Sequence, residues 1–150
     1  MARRESFYTV PPSEKMPKNR DEGKTFRFIE MTSWDAEDWA FRVILALVKA
    51  GTELPDGLKE KFDDNEISMA DVALLGINAL KGLLYHDAKP LLDDMMKCVH
   101  IIPDRKNAHI TRPIIDDDVE EVSTIVELRK QVMSLHLNFS STDDTQNTAI

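Results

Sequence analysis

Cys98, His100 and His109 are the residues whose types and spacing come nearest to a reactive or metal-binding set. Two positions apart on an extended segment, Cys98 and His100 share one face. His109 lies across the turn that follows. A structural zinc site needs four ligands, and a catalytic one needs three plus water. A fourth ligand is not evident, and Asp104 would have to supply it. The reading is a buried thiol and two rim histidines, with no metal and no cofactor. A cysteine and a histidine alone also lack the third group that orients a general base. The sequence holds no Gly-x-Ser-x-Gly, no phosphate-cradling glycine loop and no His-Glu-x-x-His. With only five glycines there is little loop machinery for a site. The chain reads as non-enzymatic.

The run Asp116-Asp117-Asp118-Val119-Glu120-Glu121 is the other conspicuous cluster. A calcium loop needs oxygen ligands at alternating positions and a turn glycine, and this run has neither. Its carboxylates suit the start of a helix, where the dipole favours negative charge. A contact surface for a basic partner is the alternative. Trp34 and Trp39 stand five apart on one expected helix, about 140° from each other. Trp39 falls with the core stripe. Trp34 falls off it and is a candidate anchor for a partner.

The elements that must position these residues are mostly helical. Thr32 or Ser33 caps a first helix near 33–50, whose core face is Ala36, Trp39, Ala40, Val43, Ile44 and Leu47, and Gly51 closes it. A second helix is expected at 69–81, after a short helical turn near 57–63. Pro90 belongs in the first turn of a third, near 88–98, with Asp87 as the favoured cap. A fourth, near 117–137, carries Val119, Val122, Ile125, Leu128, Val132 and Leu135 on one stripe. Residues 25–31 read as a short extended segment, and 99–112 as a β-hairpin with a long loop. The fold class is therefore mainly α: four main helices, one short hairpin and mobile ends. The organisation is a flexible arm at 1–24, a single helical domain at 25–139 and a disordered tail at 140–150.

The 150 residues are 42% hydrophobic and 31% charged, as in a globular chain. No apolar run approaches the roughly 18 residues of a membrane span. No apolar core follows the basic first residues, so they do not read as a secretory signal. A lone cysteine points to a reducing compartment. The formal net charge is −8, and the first 30 residues carry +2 of it, so the body carries −10. Such a body is repelled by phosphate backbones, which argues against nucleic acid as a partner.

Several whole segments resemble a known family. They are Arg20-Asp21-Glu22-Gly23-Lys24-Thr25-Phe26, Glu30-Met31 and Ala36-Glu37-Asp38-Trp39-Ala40-Phe41-Arg42. Ala79-Leu80-Lys81-Gly82-Leu83, Pro90-Leu91-Leu92-Asp93-Asp94-Met95-Met96 and Arg112-Pro113-Ile114-Ile115 follow. Asp117-Asp118-Val119-Glu120-Glu121-Val122 and Leu135-His136-Leu137-Asn138-Phe139 complete the set. Over residues 20–140 the chain resembles tail assembly chaperones of long-tailed bacteriophages and prophages. The resemblance implies a protein of the host bacterial cytoplasm that coats the helical tape measure protein. It also implies recruitment of the major tail-tube protein, with self-association as a further option. On that reading, apolar surface left after core closure makes the contact, with Trp34, Met95, Met96, Leu128, Val132 and Leu135 as candidates. An acidic inhibitor of a host or defence protein and a minor structural or connector protein of the virion are the alternatives.

Overall fold

The computed structural model describes residues 3–51, 57, 60, 64 and 82–148, with 138–148 described by backbone alone. Among them are three helices and a four-stranded antiparallel sheet, so the expectation of four main helices with one hairpin is corrected to a mixed α and β fold. The strands are β1 (Glu5–Thr9), β2 (Thr25–Ile29), β3 (Val99–Ile102) and β4 (Arg112–Pro113), in that order across the sheet. The helices are α1 (Ser33–Lys49), α2 (Tyr85–Met96) and α3 (Val122–Thr148). The expected helix at 69–81 lies outside the described residues. Of the turn near 57–63, only Gly57 and Glu60 are described, and both are helical.

The chain divides into two compact units. The first joins Met1–Glu30 to Met95–Leu135. Its sheet pairs Phe7 with Arg27, Arg27 with His100, and His100 with Pro113. Side chains alternate across a sheet. Phe26 and Phe28 of β2, with Val99 and Ile101 of β3, thus share one face, and all four are buried. Leu128, Val132 and Leu135 of α3 are buried as well, as is Met95 at the end of α2. Residues 1–24 were expected to be a mobile arm, yet they supply β1 and a buried aspartate, Asp21. A short edge strand with alternate positions exposed leaves little hydrophobic signal in sequence.

α3 begins at Val122 rather than near 117, for a specific reason. Asp118 accepts the Ile115 N–H and holds Arg112 with both carboxylate oxygens at 2.7 Å. The N–H groups of Glu120 and Glu121 donate to Asp21. These groups are committed before the helix can use them. At the other end α3 continues to Thr148, past the point where its apolar periodicity stops and through most of the expected disordered tail.

The second unit joins Met31–Asp94 to His136–Ile150. The Thr32 side chain caps α1 by accepting the Asp35 N–H at 3.1 Å, and Gly51 follows it at φ +81°. α1 buries Trp39, Ala40, Val43, Ile44 and Leu47. Against α2, the Trp39 indole N–H donates to the Leu91 carbonyl at 2.9 Å, and Arg42 meets Asp94 at 2.6 Å. α2 starts earlier than expected. The Leu84 carbonyl accepts the N–H groups of Asp87 and Ala88, which nucleates a turn ahead of Pro90. Pro90 then sits inside the helix, and its missing N–H deprives only the carbonyl of the exposed residue His86. The His136 ring accepts the Met31 N–H at 3.0 Å.

Candidate protein-binding surfaces

The residues first suspected of metal chemistry are not brought together. Cys98 is buried just before β3, His100 pairs with Pro113, and His109 lies exposed in the loop. Among the described residues no group of three or more His, Cys, Asp or Glu is placed to hold a metal ion. Burial pushes the His100 imidazole below its usual range, and the Arg27 and Arg3 charges push the same way against a hydrogen bond to the Cys98 backbone. No helix among the described residues is long and apolar enough to cross a membrane.

Three of the five carboxylates of the acidic run, Asp118, Glu120 and Glu121, are engaged within its own unit. Glu121 takes the Arg20 guanidinium at 2.8 Å, and Lys24 reaches the Asp118 carbonyl at 2.9 Å and Glu120 at 3.5 Å. At the centre stands Asp21, fully buried. Burial alone would raise its pKa. The Lys24 ammonium and the backbone N–H groups of Glu120 and Glu121 outweigh it and hold the carboxyl at about 2. This is a clamp between the segment before β2 and the segment before α3. Sequence reading missed it, because the partners lie about 100 positions apart.

The same unit has an open depression of about 870 Å³ lined by Pro11, Gly23, Lys24, Ile102, Arg105 and Arg112, among others. Its cations all have partners. Arg105 donates to the Gly23 carbonyl, Arg112 holds Asp118, and Lys24 serves the clamp. Gly23 has φ +87°, so its backbone calls for glycine, whereas a Cβ there would meet only the tip of the flexible Arg105 side chain, at 2.6 Å.

The predicted contact residues separate into two groups. Met95, Leu128, Val132 and Leu135 are buried, and Met96 is half-buried. Trp34 is 83% exposed. It does not stand alone. At about 100° per residue, positions 34, 41, 45 and 48 fall within about 40° of one line. That line lies opposite the buried Trp39–Leu47 face of α1. Leu45 is 53% exposed, Val48 is 48% exposed and Phe41 is half-buried. α1 thus carries exposed apolar residues on its outer side as well, interrupted by the exposed Asp38 about 40° from Trp34. The stronger inner stripe hid the outer set in sequence. Beside it, Arg42, Leu45, Ala46, Lys49, His86 and Pro90 border a shallow groove of about 330 Å³ within the second unit. Leu84 and Tyr85 are exposed in that unit too.

With this geometry described, the chain was compared with protein-family models, with curated proteins and with solved structures, and it matches none of them.

Proposed function

We propose that this protein works by binding, as a tail assembly chaperone of a long-tailed phage or prophage in the host bacterial cytoplasm. It holds the tape measure protein soluble and brings major tail-tube subunits to it. The family resemblance of residues 20–140 supplies the partners. The observation that carries the mode of binding is the set of exposed apolar residues Trp34, Leu45 and Val48 on the outer side of α1. Steps of eleven and three residues set them on one side of the helix, where an amphipathic helix, the form in which a tape measure protein offers itself, can pack. An exposed tryptophan at one end is a natural anchor.

The inhibitor reading draws less support. It would draw on the acidic run, and three of that run's five carboxylates, Asp118, Glu120 and Glu121, are already tied to Arg112, Lys24 and Arg20. The test is co-expression of the tape measure protein with and without this chain at matched levels. The proposal expects a soluble, co-purifying tape measure protein only when the chain is present. Equal solubility in both cases with no co-purification would overturn it.

A further inference from the structure

The two edges of the sheet are not alike. Sheets protect their edges with short strands, prolines and charge, because an unpaired row of N–H and C=O groups recruits other strands. β4 follows that rule, with two residues of which one is Pro113. β1 follows it less closely: it runs for five residues without proline, its one charge, Glu5, is ion-paired to Arg27, and Phe7, 55% exposed, stands at its midpoint.

Backbone parity shows which groups β1 offers. Glu30 donates to the Arg4 carbonyl and Val10 donates to the Lys24 carbonyl. In the β1–β2 register these are the even positions of β1, so Arg4, Ser6, Tyr8 and Val10 bond to β2. In an antiparallel pair the alternate residues turn their backbone groups the other way. Glu5, Phe7 and Thr9 therefore aim theirs at the open edge.

We infer that the free edge of β1 is a self-pairing surface, at which two copies of this chain join their sheets antiparallel, centred on Phe7. The edge is self-complementary, and overlap selects the register: centring on Ser6 or Tyr8 pairs only two of the three outward residues within Glu5–Thr9, whereas centring on Phe7 pairs all three. A two-fold axis at Phe7 sets Glu5 against the other copy's Thr9 and Phe7 against its own equivalent. All three outward pairs then exchange both of their hydrogen bonds. Centring on Glu5 would oppose two carboxylates directly, which is unfavourable. Centring on Thr9 would oppose Phe7 to Pro11, which has no N–H to give. Around Phe7 no proline and no like charges meet within Glu5–Thr9. The pairing also keeps odd positions opposite odd positions, so the buried faces of both sheets stay on one side. The inference does not depend on the chaperone reading.

Sedimentation analysis of the full chain across a concentration series tests it, with circular dichroism as the control for folding. The unaltered chain is expected to shift from monomer to twice the monomer mass as concentration rises. Phe7→Lys and Phe7→Glu should each be folded monomers, because each places like charges opposite one another. Mixed in equal amounts, they should return a dimer holding one of each, read by native mass spectrometry. Phe7→Pro should also be monomeric, since it removes an outward N–H and leaves the β1–β2 bonds in place. A wild-type chain that stays monomeric to millimolar concentration would overturn the inference. So would a dimer that survives all three substitutions, or folded lysine and glutamate variants that fail to pair with each other.

Discussion

The carboxylate of Asp21 lies 2.9 Å from the backbone nitrogen of Glu120, 99 positions further along the chain. A second N–H, from Glu121, reaches the same carboxylate at 2.9 Å, and Lys24 binds it at 2.8 Å. One buried side chain thus satisfies two backbone donors and one ammonium.

Asp21→Ala should therefore destabilise the fold by about 3 kcal/mol, because it leaves those donors buried without an acceptor. Urea unfolding of the two proteins side by side measures it. Stability should also depend on acid. The folded pKa of Asp21, at about 2, lies below the ordinary 3.8. Its contribution is present above pH 3.8 and is lost as pH falls toward 2, amounting to about 2 kcal/mol. Asp118 and Glu121 are lowered in the same sense, through Arg112 and Arg20. Asp21→Asn should flatten much of that acid limb, and an unchanged limb would place the effect elsewhere.

The two tryptophans should report separately. Trp39 is fully buried with its indole N–H bonded, and Trp34 is mostly exposed. Trp39→Phe should leave emission typical of water and open to iodide quenching. Trp34→Phe should leave a blue-shifted, poorly quenched signal. Trp39→Phe should also cost about 1–2 kcal/mol, for the lost buried hydrogen bond and altered packing.

Cys98 is a buried thiol. A water-soluble disulfide reagent should label it far more slowly in the native chain than in urea. Its native labelling rate should rise in Asp21→Ala in step with the lost stability. Fast labelling of the native chain would show that the segment before β3 opens locally.

Substitutions in the two groups of predicted contact residues should diverge. Trp34→Ala, on the solvent side of α1, should change stability by less than about 0.5 kcal/mol and, on the proposed function, weaken capture of the tape measure protein. Leu128→Ala should cost about 2–5 kcal/mol, as a fully buried leucine in a packed core does. Pull-down at matched folded concentration separates the two effects.

Local signals in the sequence located what is local in the fold. The Thr32 cap, the core face of α1 and the Gly51 stop follow from helix geometry, and the structure has all three. The hairpin at 99–112 was legible too, although its second strand shrinks to Arg112–Pro113. What was hidden depends on distant partners. β1 has a strand only because β2 stands beside it, and Asp21 reads as one acid among many until residues 120 and 121 arrive. The stripe of α3 marked a covered face only in its later part, since Val122 is 76% exposed, and a stripe cannot say what covers it. Leu128, Val132 and Leu135 fill the protein's own core.

The sheet also sets a timetable for synthesis. β2 ends at Ile29, and its inner neighbour begins at Val99. At roughly 5–20 residues per second, the ribosome needs about 4–14 s to deliver the second after the first. Until then β1 and β2 form at most a hairpin, which is marginal alone. Phe26 and Phe28 stay uncovered, and Asp21 waits still longer for Glu120. The nascent chain thus passes through an interval in which its most apolar strand has an open side, and closure is a late, long-range event of the slow kind. A chain stopped before Val99 would remain in that interval for good, a substrate for proteases and holding chaperones.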